Sequence, residues 1–393
     1  MVKIITTDVK NVDFKQLAVS GVQGLHPYQP GKPIDELARE LGLDEKDIVK
    51  LASNENPTGP SDKALAAVQQ QFAELTRYPD GAGFDLKATL CEVLGKDGCN
   101  IRAEQITLGN GSSDILDFIT RVFVNDGDNV VVSQHAFSIY GLDAKMAGGE
   151  ALVAPAKDFG HDLDAMLALI NDKTRIVFIT NPNNPTGTWL NKQELLSFLD
   201  QVPAQVLVLL DEAYFEYVAE ADYPNGIELV NQYPNLVVTR TFSKAYGLAS
   251  LRVGFGISSP ELADLLNRVR PPFNVNAFAL AAAQATLLDN DYLTNSVALN
   301  NAGMAYLTGE FTRLGLSYIP SVGNFISVKM PAGIDALAVN RGLLQAGVIV
   351  RPLANYDMAE YLRISIGSEK ENQVFIRALE SVLAEQTAAQ VNA

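Results

Sequence analysis

A lysine becomes a nucleophile where its surroundings strip its proton, and Lys244 follows the apolar run NLVVTR in a loop of small and hydroxyl-bearing residues, TFSKAYGLAS. A desolvated amine of this kind condenses with carbonyl compounds as a Schiff base. Asp211 ends the apolar run QVLVLL, so its carboxylate falls in a low-dielectric setting where an unpaired charge is costly. It needs a cationic partner. A protonated pyridine nitrogen is one, and a buried carboxylate there keeps pyridoxal phosphate acting as an electron sink. The plainer reading of Asp211 is a cap for the next helix. Tyr214, three residues on, shares its side if the segment turns helically.

Three further clusters carry charge or fixed amides. In TLGNGSSDILDFI a strand passes through Gly109 and Gly111 into a helix starting near Ser112 or Ser113. The free N–H groups of that helix start, with the serine hydroxyls, make a cup for an anion, or else a serine simply caps the helix. The pattern lacks the third glycine of the dinucleotide fingerprint, which speaks against a nicotinamide cofactor. Thr241 and Ser243 precede Lys244 and Arg252 follows it by eight residues, so with the Gly111 cup they can neutralise one phosphate from several sides. In ITNPNNPTG two Asn-Pro pairs follow a strand, one of the bonds expected cis, with the Asn181 amide pointed into the crevice. Arg351 in VIVRPL and Arg363 in YLRISIG lie on strands among apolar residues. Singly each reads as a structural ion pair; together they read as a clamp for a substrate's acidic group.

These residues need a scaffold that brings strand ends together. From about residue 104, short β-branched runs alternate with stretches of helical period: Gln105 to Leu108, Asn129 to Ser133, ALVAP, RIVFIT, QVLVLL, NLVVTR and RVGFGI. The expected fold is α/β, a large domain with a mostly parallel doubly wound sheet plus a smaller α+β domain from the chain termini. Ligands in such sheets bind at the carboxyl ends of the strands. After Pro271 and Pro272 the texture changes to long Ala-rich and Leu-rich helices, a hinge. The divisions are 1–50, an arm and part of the small domain; 51–275, the large domain; and 276–393, an interdomain helix and the C-terminal small domain.

The chain has 393 residues, with 30 Lys and Arg against 46 Asp and Glu, a net charge of -16. That excess of acid argues against nucleic acid as a partner, since binding it rests on clustered cations. Any anion must be held by a local site against a repulsive global field. Two cysteines without a CxxC spacing and three scattered histidines give neither a disulfide framework nor a metal site. No apolar stretch long enough for a signal peptide or a membrane span is visible, so cytoplasm is the expected compartment.

The order LHPYQPGKP, KLASNENPTGPS, RYPDG, NPNNPTG, DEAY, SKAYGLASLRVG, LRISIG resembles the fold-type-I pyridoxal-phosphate aminotransferases, and the first two segments resemble the histidinol-phosphate aminotransferase group within them. The resemblance implies pyridoxal 5'-phosphate bound covalently to Lys244, which also shuttles the substrate Cα proton. It places Asp211 at the ring nitrogen and Asn181 and Tyr214 at the phenolic oxygen. Tyr140 would stack on the pyridine ring. The phosphate falls to Gly111, Ser112, Ser113, Thr241 or Ser243 and Arg252, with Tyr78 reaching it from a neighbouring subunit of a homodimer with shared sites. Tyr28, Asn54, Asn324, Arg351 and Arg363 would bind substrate. The implied reaction is ping-pong transamination between histidinol phosphate and 2-oxoglutarate in histidine biosynthesis, with small-molecule partners and no membrane. Similar motifs serve aromatic amino-acid aminotransferases and decarboxylases of phosphorylated amino acids. Asp357 stands where such proteins usually carry Gly, His135 where Tyr or Thr is expected, and Glu360 places an acid beside the proposed clamp.

Overall fold

The computed structural model describes residues 13–25 and 31–391. At its centre lies a seven-stranded sheet in the order Ile106–Gly109, Gly254–Ile257, Leu236–Thr241, Leu207–Asp211, Thr174–Thr180, Asn129–Ser133, Glu150–Ala154. Gly254–Ile257 runs antiparallel to both neighbours, and the other adjoining pairs are parallel. The fold is thus the α/β class the alternation predicts.

Side chains alternate across a strand, and here both faces are dry. Val177, Ile179, Val208 and Leu210 enter one hydrophobic core, whereas Ile176, Phe178, Leu207 and Leu209 enter another on the opposite face. Each such buried side chain contributes about 1.5–3 kcal/mol. With apolar residues required on both faces, polar side chains are confined to the strand ends. That is where the chemistry sits.

A second sheet of four antiparallel strands orders Tyr318–Ile319, Phe325–Lys329, Tyr361–Ser365 and Arg351–Pro352. Its core takes in the helices Asn290–Arg313, Ala336–Gln345 and Glu369–Val391 through Leu307, Val339 and Phe375, and also Leu51 from the N-terminal part. Val49–Lys50 pairs in parallel with Val348–Ile349, so an N-terminal segment joins the C-terminal part of the chain. The helix Ile34–Leu41 starts just after Pro33, and Gly42 ends it in the left-handed region. Among the described residues no helix is long and apolar enough to cross a membrane, and no cluster of His, Cys, Asp and Glu could hold a metal ion.

Candidate active site

The carboxyl ends of the central strands and one edge of the smaller sheet enclose a cavity of about 290 Å³. Its wall includes Lys244, Asp211, Tyr214, Ser112, Ser113, Thr241, Ser243, Arg252, Asn54, Arg351 and Arg363, residues far apart in sequence that the fold brings together.

One end is built for an anion. Gly111 adopts φ +78 and precedes the helix Ser112–Phe123, whose N-terminus carries no side-chain cap. The serines therefore face the cavity and do not cap the helix. Gly111 does not reach the wall itself; a Cβ on it would lie 2.7 Å from Arg252 Nη2, and one on Gly254 would lie 2.4 Å from the Ser112 amide nitrogen. Only glycine lets the strand, the helix start and the guanidinium approach so closely. Arg252 donates from Nη1 to Ser243 Oγ (3.3 Å) and from Nη2 to the Asn110 carbonyl (3.4 Å). The dipole of the helix start and these donors favour a phosphate.

Lys244 donates to the Ser53 carbonyl at 3.0 Å. Burial, with the positive charges of Arg363 and Arg252 adding to it, brings its amine down to about 8. Asp211 ends its strand with its carboxylate 4% exposed, and burial raises it above the ordinary carboxylate range. An amine eased toward its neutral form and a carboxylate in want of a cation now share one cavity. Burial pushes the Tyr214 hydroxyl up to about 12, so it remains protonated, and it accepts a hydrogen bond from Asn54 Nδ2 at 2.9 Å.

The opposite end is cationic. Register places Arg351 directly opposite Arg363 on adjacent antiparallel strands, where like charges repel. Arg363 is held by Asn184 Oδ1 (2.6 Å) and the Ala52 carbonyl (2.7 Å). His135 donates from Nδ1 to the Tyr356 carbonyl at 2.7 Å and so fixes the turn that brings Tyr356 to the wall. Glu360, expected beside the clamp, pairs instead with Lys329 at 3.1 Å near the surface. Asp357 occupies the left-handed region at φ +57, which accounts for the glycine expected there.

Three other expectations are corrected. Asn181 does not point into the crevice: its amide accepts from the Leu190 N–H (2.9 Å) and donates to the Leu190 carbonyl (3.3 Å), closing its own loop. Asn184, the second Asn-Pro asparagine, is the one on the wall; both bonds are cis. Tyr140 is fully buried and stacked on Phe178, not on the cavity, and the aromatic wall is Phe137. Asn324 also lies off the wall, donating to the Asn54 carbonyl at 3.0 Å. The expectation for Tyr78 concerns a second subunit; within one chain it is 82% exposed and stacks on Phe273 with ring centroids 4.7 Å apart. Tyr28 lies outside the described residues. Asn184 was findable as the twin of Asn181, and Phe137 as the aromatic just past a strand; Tyr356 has no such signal.

The chain belongs to the class I and II aminotransferases, whose family model matches residues 46–379. Within that class its similarity is to histidinol-phosphate aminotransferases. It is 58% identical over 372 residues to histidinol-phosphate aminotransferase 2 of Pseudomonas fluorescens, covering 95% of this chain and 99% of the other. It is 57% identical over the same span to its Pseudomonas aeruginosa counterpart, again covering 95% and 99%. The crystal structure of histidinol-phosphate aminotransferase from Sinorhizobium meliloti in complex with pyridoxal-5'-phosphate superposes with a TM-score of 0.84 at 29% identity, over 93% of this chain and 97% of that one. The chain is a pyridoxal-phosphate-dependent aminotransferase. Its cavity fits the cofactor, with an anion cup at one end, an amine for the aldehyde, a carboxylate for the ring nitrogen and an aromatic wall.

Proposed function

We propose that this chain moves an amino group between histidinol phosphate and 2-oxoglutarate, giving imidazole-acetol phosphate and glutamate, as a cytoplasmic step of histidine biosynthesis. One observation carries the reading: the anion cup with Arg252, the arginine pair and Lys244 line one cavity, and Lys244 feels the charge of both Arg252 and Arg363. When bound, the cofactor supplies a sink for the electrons left at the substrate Cα once its proton departs.

The residues divide the work. Ser112, Ser113, Thr241, Ser243 and Arg252 hold the cofactor phosphate, and Asp211 holds its ring nitrogen. Tyr214 and Asn184 would serve its phenolic oxygen, and Phe137 would cover the ring. Lys244 would take the Cα proton on Nζ and return it to the cofactor carbon that carried the aldehyde, since an amine lowered to about 8 is a competent base. Arg351 and Arg363 hold the acidic end of either substrate, the phosphate of one and the carboxylate of the other.

A homodimer with shared sites belongs to the same reading. Phe72, Leu75, Tyr78 and Phe84, close together in sequence, are large apolar side chains left exposed. Such a patch suits a second copy, and Tyr78 would then serve the partner's phosphate cup. Half-reaction rates with histidinol phosphate, phenylalanine and phosphothreonine, followed by the cofactor's absorbance, test the substrate. Histidinol phosphate should react fastest by at least tenfold; phenylalanine in first place would make the chain an aromatic aminotransferase. Sedimentation equilibrium tests the dimer, and a monomer at micromolar concentration would remove it.

A further inference from the structure

The central sheet aligns three residues at one level: Thr180 pairs with Asp211, and Asp211 pairs with Thr239, on three neighbouring parallel strands. Thr239 Oγ1 donates to Asp211 Oδ1 at 3.0 Å. Tyr140 comes from the helix Ile139–Met146 and donates its hydroxyl to Asp211 Oδ2 at 2.8 Å. That hydroxyl also lies 2.7 Å from Thr180 Oγ1. The tyrosine proton is committed to the carboxylate, so Thr180 is the donor to the tyrosine oxygen.

The tyrosine has little freedom. Its ring is fully buried, stacked at 4.7 Å and 11° on Phe178, and it meets Phe137 edge-on at 5.8 Å. A buried hydroxyl is costly unless it is hydrogen-bonded, and here it is bonded twice. A carboxylate has about four lone-pair sites. Two are taken by the hydroxyls, and the Ala213 backbone N–H reaches the carboxylate as well, so Asp211 is directed at the cavity by a rigid frame rather than by its own rotamer. Hydroxyl donors also favour the charged carboxylate against its burial.

We propose that Tyr140 is a positioning residue which, with Thr239, fixes Asp211 so that the cavity selects a ligand carrying a protonated ring nitrogen. This rests on the assignment of Asp211 to the cofactor's ring nitrogen. The strength of the electron sink is then set by a tyrosine that never touches the cofactor. The contacts also explain why a tyrosine, and not a phenylalanine, occupies a position with no access to the cavity.

The test is a binding measurement on the cofactor-free chain, with pyridoxal phosphate and its 1-deaza analogue, which has CH in place of the ring nitrogen. The unaltered chain should prefer pyridoxal phosphate. Tyr140→Phe should narrow that preference about tenfold, as expected for loss of one charge-assisted hydrogen bond, while affinity for the analogue stays nearly constant. A merely structural role would weaken both ligands equally, and that result overturns the proposal, as does an unchanged preference. Asp211→Ala should abolish the preference outright. If it does not, the assignment of Asp211 fails and the proposal with it; if it does and Tyr140→Phe leaves the preference intact, the proposal alone fails. Should Tyr140→Phe not fold, Thr239→Val reads the other carboxylate oxygen, and there too a retained preference counts against the frame.

Discussion

The two ends of the cavity are built differently. The cup and the Lys244–Asp211 region rest on the ends of parallel strands, where Thr239, Tyr140, Gly111 and Gly254 fix each group from behind. The arginine end rests on short antiparallel strands and a turn, and is joined to the rest through Asn184 and the Ala52 carbonyl. The first end has a rigid sheet as its support, so its geometry is set before any ligand arrives. The second depends on contacts between parts of the chain that are distant in sequence. A group that must be held for every turnover belongs on the first, and one that must admit two different substrates belongs on the second.

That contrast is most exposed to Lys244→Ala, which should cost about 10³-fold or more in turnover and abolish any borohydride-reducible lysine adduct. A covalent adduct on another lysine would break it. Arg363→Ala should lower kcat/KM about 10- to 100-fold for both the phosphorylated and the amino-acid substrate, with cofactor affinity unchanged. A large loss of cofactor affinity would mean that the two ends are not separate.

The pH dependence of loading sharpens the first end alone. The neutral amine is the reactive form, and Lys244 is lowered to about 8, so the rate of reaction with added pyridoxal phosphate should rise with pH and level off above that value. Between pH 7 and pH 9 the neutral fraction goes from about 0.09 to about 0.91, roughly a tenfold gain; an ordinary lysine would still be climbing at pH 10. Stopped-flow absorbance decides between them. Smallest is the contrast between the two asparagines. Asn184→Ala should cost about two- to tenfold in kcat/KM with little loss of stability, whereas Asn181→Ala should lower the melting temperature and spare the kinetics of whatever folds.

The first end was also the more legible in sequence. A polar residue directly after a continuous apolar run, as with Asp211, is nearly obliged to sit at a strand end facing a crevice, because both sheet faces are committed to the core. Lys244, just past the strand Leu236–Thr241, was visible for the same reason, and Arg252 by its spacing from Lys244. The Asn-Pro pairs were not resolved, because two identical dipeptides in series differ only in which way the chain turns between them. Tyr140 was misplaced because the helix begins at Ile139 and turns its tyrosine inward, leaving Phe137, in the preceding turn, on the wall. Tyr356 owes its place to a carbonyl contact with His135, a tertiary fact with no local signature. Tyr78 needs a second chain to have a role at all.

Asn54 links these regions. At φ +54 it donates its backbone N–H to Ser365 Oγ (2.7 Å) and its side chain to Tyr214, and it accepts from Asn324. One residue thus belongs at once to the N-terminal segment, the smaller sheet and the wall built by the larger. Loosening the smaller core withdraws the partner of Tyr214, and disturbing Tyr214 is felt at Ser365. The two cores are therefore thermodynamically coupled, and heat should melt them in one cooperative transition, with calorimetric and van't Hoff enthalpies in agreement.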